Sequence, residues 1–125
     1  MNTLKWFDLS EFDSPDRPGS GELMEEQLLQ RLDLARDIYG LPMVVTSGFR
    51  TVDHNRHLKQ RGYPAADNSS HLLGWAVDIA CIDTRASFEM VCAFGEARFN
   101  RHGMGEIFIH VDCELEKPSD VCWTY

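Results

Sequence analysis

Residues 69–80 read Ser69-Ser70-His71-Leu72-Leu73-Gly74-Trp75-Ala76-Val77-Asp78-Ile79-Ala80. A polar loop ends at His71, Gly74 supplies a tight turn, and Trp75 to Ala80 reads as a short strand. Asp78 lies inside that strand, between Val77 and Ile79. Burying an unpaired carboxylate is expensive, and the remedies are an ion pair, a hydrogen-bond cluster or a metal. The stretch Ile107-Phe108-Ile109-His110-Val111-Asp112-Cys113 reads as another strand and poses the same problem, because His110 stands between Ile109 and Val111. Two histidines and one aspartate forced toward the interior suit a zinc site with three protein ligands and a fourth position open to water. Periodicity leaves a second reading open, in which Asp78 and His110 simply pair across adjacent strands.

Working outward, Pro42 to Thr46 reads as a buried strand and Ser47-Gly48-Phe49-Arg50-Thr51 as a turn. Val52 to Arg61 follows as a helix stopped by Gly62, and Tyr63 to Ser70 as a polar loop. Glu22 to Tyr39 has Met24, Leu28, Leu32, Ala35 and Tyr39 at helical spacings of three and four. Ser20 is its expected N-cap, Glu22, Glu25 and Glu26 suit its positive end, and Gly40 suits C′. Thr84 to Phe99 predicts a third helix with Phe88, Val91, Cys92 and Phe99 on one side. Residues 1–22 hold Trp6, Phe7, Leu9 and Phe12 before the breaker-rich Ser14 to Gly21, a lid-like segment pinned by its aromatics. The short connections favour an α+β fold, a small antiparallel sheet with flanking helices, over a parallel α/β sheet.

The chain's 125 residues allow one domain, 1–125, with the first 22 packing on it. Twelve basic residues against 20 acidic ones give a net charge of −8, which repels phosphate backbones and disfavours nucleic-acid binding. No apolar run approaches the roughly 18 residues of a membrane span. Met1 to Asp8 shows no basic cluster followed by an apolar stretch, so no secretory signal is read and synthesis in a cytoplasm is expected. Cys81, Cys92, Cys113 and Cys122 form no C-x-x-C pair. They are expected as reduced, mostly buried thiols, with a Cys113–Cys122 bridge left open for a protein released outside a cell.

The string Ser69-x-His71-x-x-Gly74-x-Ala76-x-Asp78 resembles the signature of the D-alanyl-D-alanine carboxypeptidase and dipeptidase family of zinc peptidases, the M15 peptidases. Phe108 to Asp112 resembles that family's second metal strand. Ser47 to Thr51, with Asn55 just after, resembles its arginine turn. Leu9-Ser10-Glu11-Phe12 and Trp123 are similar to the small, single-domain branch. The resemblance implies a hedgehog/D-Ala-D-Ala peptidase-like fold with His71, Asp78 and His110 as ligands of Zn2+. It implies that Arg50 faces the substrate, where its fixed charge holds a developing oxyanion or a peptide carboxylate, and that Ser69 hydrogen-bonds substrate. Trp123, with Tyr63 and Trp75, would wall the cleft. The activity so implied is hydrolysis of peptidoglycan stem peptides through a zinc-activated water, by a monomer acting as carboxypeptidase or endopeptidase. Release by lysis, as for a phage endolysin or a prophage-borne enzyme, is the matching expectation.

The general base departs from the family pattern. An H-x-H arrangement needs histidine where Phe108 stands, and E-x-x-H needs glutamate where Ile107 stands. Glu106 is the first candidate, although four residues of regular strand place it about 13 Å from His110 unless a bulge at Gly103–Gly105 brings it closer. Asp112, two residues past His110, is the second, either acting on the water or supporting a metal histidine. His102 is a third. The departure keeps an alternative alive: a zinc-binding module of the same fold, weak or inactive in hydrolysis and used for binding or assembly. Cleavage of small D-amino dipeptides inside a cytoplasm is a weaker option.

Overall fold

Val77, Ile79, Ile109 and Val111 face one way while Asp78, His110 and Asp112 face the other, and this alternation produces a sheet with one apolar and one polar face. The computed structural model describes residues 3–125. Its strands are β1 (Val45–Ser47), β2 (Ala76–Ala80), β3 (Arg101–Met104), β4 (Phe108–Asp112) and β5 (Val121–Thr124), in the order β1-β2-β4-β3-β5. Pairing is antiparallel except at the edge, where β5 joins β3 in parallel. The sheet is therefore mixed within the expected α+β architecture.

Three helices, α1 (Glu26–Tyr39), α2 (Val52–Gln60) and α3 (Thr84–Glu96), accompany the sheet. Leu28, Leu29, Leu32 and Ala35 of α1 and Met90 and Phe94 of α3 join the four apolar strand residues in one core. The buried stripe of α3 is Met90, Ala93 and Phe94, continued by Ala97, whereas Phe88 is 71% exposed and Cys92 faces solvent. Phe99 is buried and Val91 packs against the core as expected, so only Phe88 and Cys92 of the expected stripe are corrected. Cys113 alone of the four thiols is buried, and all four are free, so the expected buried set and the Cys113–Cys122 bridge are both corrected. Cys122 points outward from the edge strand, away from Cys113 in the core.

The first helix starts later than its periodicity predicts. Ser20–Leu23 forms a separate 3-10 turn, and Met24 and Glu25 are extended before α1 begins. A tertiary contact accounts for the break: Glu25 N donates to Gly74 O at 3.0 Å, tying this bend to the His71 turn. Ser20 does not cap α1. Its hydroxyl accepts from Ser14 N at 2.8 Å. Gly40 closes the helix at φ 81° as expected.

The N-terminal segment is woven into the fold. Phe12 is fully buried against Phe7, with ring centroids 5.7 Å apart. Phe49 N donates to Phe12 O at 2.8 Å, and the Thr51 hydroxyl donates to Asp16 at 2.6 Å. These bonds fasten the segment to both sides of Arg50. No helix among the described residues is long and apolar enough to cross a membrane.

Gly48 measures how tight this seam is. A Cβ there would lie 2.7 Å from both Cα and O of Phe12, backbone atoms that cannot swing aside. Gly48→Ala is expected to destabilise the protein by about 1–3 kcal/mol through overpacking. The check is a lowered urea midpoint at unchanged slope; an unchanged midpoint would contradict so close a seam.

Candidate metal centre and active-site cleft

His71 is presented by a 3-10 turn, Ser70–Leu73, that begins and ends on specific residues. The Ser69 hydroxyl accepts from His71 N at 3.2 Å, and Gly74 closes the turn at φ 77°. A side chain at Gly74 would also meet Leu23 O at 2.5 Å, so this glycine serves both the turn and the packing beneath it. Asp78 and His110 arrive from neighbouring strands, directly opposite one another in the β2–β4 register. All three side chains are buried.

Their outer hydrogen bonds decide what the inner atoms offer. His71 Nδ1 lies 2.7 Å from Gly48 O, which only accepts, so Nδ1 carries the proton and Nε2 presents a lone pair. His110 Nε2 lies 2.7 Å from Asp112 Oδ2, so it is the protonated nitrogen and Nδ1 faces inward. His71 Nε2, His110 Nδ1 and Asp78 Oδ1 then form a triangle with sides of 3.1, 3.0 and 3.2 Å. Two ligand atoms of a tetrahedral zinc at 2.0–2.1 Å stand about 3.3 Å apart, close to this spacing. Two imidazole nitrogens and one carboxylate oxygen, converging with no protein donor between them, are a donor set that fits a divalent cation such as zinc.

The electrostatics agree. Burial pushes the His71 imidazole below its ordinary pKa, keeping it neutral and able to ligate. Burial works against the Asp78 carboxylate, yet His71 and His110 hold its pKa far below the usual range. Burial also opposes a charged His110, but its hydrogen bonds to Asp112 and Asp78 outweigh this and raise its pKa.

A second layer fixes these groups. Both Asp112 oxygens are engaged: Oδ2 by His110, and Oδ1 by Arg101 Nε at 2.7 Å. Arg101 also donates to Pro118 O, and its guanidinium lies 5.1 Å from the Trp123 ring centroid. Arg50 is buried and bonds the outer oxygen of Asp78, with Nη2 3.2 Å from Oδ2. Its Nε and Nη1 donate to Ser47 Oγ and Asn55 Oδ1. Arg50 thus belongs to the centre and is no surface ion pair.

A cavity of about 750 Å³ opens over the cluster, and Arg50, Ser69, His71, Asp78, His110 and Trp123 all line it. Tyr63 lines it too, whereas Trp75 packs against the core. Glu106 is exposed in the β3–β4 turn and is not among the cavity residues. The bond from Gly105 N to Phe108 O, with the Phe108 ring stacked on Gly105, closes that hairpin tightly, so no bulge carries Glu106 inward. Asp112 borders the cavity but has both oxygens engaged, by His110 and Arg101, and His102 Nε2 bonds Phe99 O on the core side of β3. Arg101, Lys117 and Tyr125 are cavity residues that the sequence reading passed over. Only Tyr125 left a signal, its two-residue spacing from Trp123, which on a strand puts both on one face.

Two outcomes follow for metal binding. Asp112→Asn removes the charge behind His110 and is expected to weaken divalent-metal affinity by about 10- to 100-fold with the fold intact. Affinity is also expected to fall as pH drops through the raised pKa of His110, because its Nδ1 must be free of its proton to ligate. Competition titration with a chromogenic chelator across pH reads both; an Asp112→Asn affinity equal to the parent's would remove Asp112 from the metal's support.

Residues 7–112 match the family model described as Peptidase M15. No curated protein matches the chain significantly. The matched span holds the N-terminal seam, the Arg50 turn and all three convergent side chains, and stops short of β5. The chain therefore belongs to the peptidase M15 family.

Proposed function

We propose that the protein is a zinc peptidase that hydrolyses peptidoglycan stem peptides. The observation that carries this reading is the convergence of His71, Asp78 and His110 on one point at the floor of a cleft that also holds Arg50. Zinc held by those three residues would supply Lewis acidity, polarising the scissile carbonyl and lowering the pKa of water. The chain's own residues do the positioning. Arg50 has five N–H groups, and its bonds to Ser47, Asn55 and Asp78 leave others free for a substrate carbonyl oxygen or carboxylate. Because Asp78 and Asn55 hold the guanidinium, its charge is already in place as negative charge develops on substrate. Tyr63 and Trp123 offer apolar walls for a peptide backbone. The resemblance of the His71–Asp78 signature to the D-alanyl-D-alanine peptidases supports the choice of stem peptides. A net charge of −8 opposes docking on anionic walls, so recognition falls to the cleft.

One observation favours a second reading, a zinc-binding module without hydrolysis. Asp78 and Asp112 are the carboxylates lining the cavity among the described residues, and both are engaged by the cluster. Neither stands free over the centre as a base.

Incubation of the zinc-loaded protein with muropeptides separates the two. Loss of terminal D-Ala or opening of cross-bridges, abolished in His110→Ala, is the expected result; a filled metal site without turnover would establish the module. Arg50→Lys keeps the charge but loses the fork, and is expected to lower kcat/KM by about 10²-fold. Glu106→Gln is expected to keep full activity, and a large loss in that variant would return Glu106 to the mechanism.

A further inference from the structure

Tyr125, one residue past β5 and outside the matched family span, lines the cavity. Along β5, Val121 and Trp123 are half-buried while Cys122 and Thr124 are exposed; Tyr125, the next residue, lines the cavity with 53% of its surface still exposed. Its ring packs 5.3 Å from that of Phe108 and 6.3 Å from that of Trp123, so the phenol is held from two sides. Gly103 makes the space for its hydroxyl: a Cβ there would lie 2.8 Å from both the Tyr125 hydroxyl and Trp123 Nε1. Gly103 is also the direct cross-strand partner of His110. Trp123, whose indole shares that space, has its ring centroid 5.5 Å from that of His110, so the hydroxyl lies on the His110 side of the cavity.

Two further strong donors line the cavity, and each is already held by two protein partners. Arg101 is engaged by Asp112 and Pro118, and Lys117 by Asn68 and Ser70. The Trp123 indole nitrogen and the Tyr125 hydroxyl both border the space left by Gly103, and the phenol rotates freely about its C–O bond, so its O–H can turn toward the cavity. A phenol is neutral in the physiological range, and partial burial pushes this one's pKa further up, so the group is a donor.

We propose that the Tyr125 hydroxyl donates a hydrogen bond to the carbonyl oxygen of a bound peptide as that oxygen gains negative charge, sharing this task with Arg50. The inference rests on the peptidase reading. It makes the residue that follows β5, an edge strand, a contributor to the reacting end of the cleft.

Tyr125→Phe keeps the ring and removes the one donor. The probes are a phosphinate dipeptide, whose tetrahedral PO2− group replaces the reacting carbonyl, and the matching plain peptide, both titrated calorimetrically into zinc-loaded protein. The variant is expected to bind the phosphinate about 10²-fold more weakly, with unchanged metal content and unchanged affinity for the plain peptide. Muropeptide kcat should fall by a similar factor at constant KM. Equal phosphinate affinity in the two proteins would overturn the proposal. So would equal losses for both ligands, which would make Tyr125 a wall, or failure of the parent protein to bind the phosphinate. If the parent binds the phosphinate but cleaves no muropeptide, the peptidase reading falls, and the affinity difference still decides the hydroxyl's role.

Discussion

One carboxylate oxygen, Asp78 Oδ1, lies 3.1 Å from His71 Nε2 and 3.0 Å from His110 Nδ1 inside the protein. Burying an ion costs several kcal/mol even after relaxation. Arg50 compensates at the other oxygen, and Gly48 O and Asp112 turn the two imidazoles so that both present lone pairs inward. Three acceptors aimed at one point repel each other until a cation lies between them. That requirement governs the polar face of the sheet. β2 and β4 must pair in the register that opposes Asp78 and His110, because a slip of one residue would send either into the apolar core.

The surrounding chain maintains that register and the approach of His71. The His71 turn is buttressed through Gly74 by the bend at Leu23–Glu25, and the Arg50 turn is pressed onto Phe12 through Gly48. Two glycines thus mark where the N-terminal segment meets the two loops that feed the centre. On the far side, Arg101 couples Asp112 to the loop at Pro118 and to Trp123. A segment that looks like a lid in the sequence is a brace. The aromatic edge strand, by contrast, borders the cleft itself.

Much of this was legible from the chain. A charged residue flanked by Val77 and Ile79, and a histidine flanked by Ile109 and Val111, declare a buried polar cluster by alternation alone. The resemblance of Ser47–Thr51 to the family's arginine turn added Arg50 to it. What escaped has physical causes. β3 reads Arg101-His102-Gly103-Met104, with no apolar alternation, because its cavity face carries Arg101 and the glycine that makes room for Trp123 and Tyr125. The break before α1 is imposed by Gly74, 49 residues after Glu25, and local propensity carries no trace of it. Phe88 and Cys92 mimic a core stripe because two faces of α3 are apolar and only one meets α1. Glu106 had the right chemistry for a base but needed a bulge to come within reach, and the Phe108 ring seals the hairpin that would have carried it inward.

The central claim is that His71, Asp78 and His110 hold zinc as a set. X-ray absorption at the zinc edge on stoichiometrically loaded protein tests it most directly. A shell of nitrogen and oxygen at about 2.0–2.1 Å, with outer-shell scattering from two imidazoles and no sulfur, is the predicted result. A sulfur shell at about 2.3 Å, which would place zinc on the free thiols, would contradict it. So would scattering from a single imidazole.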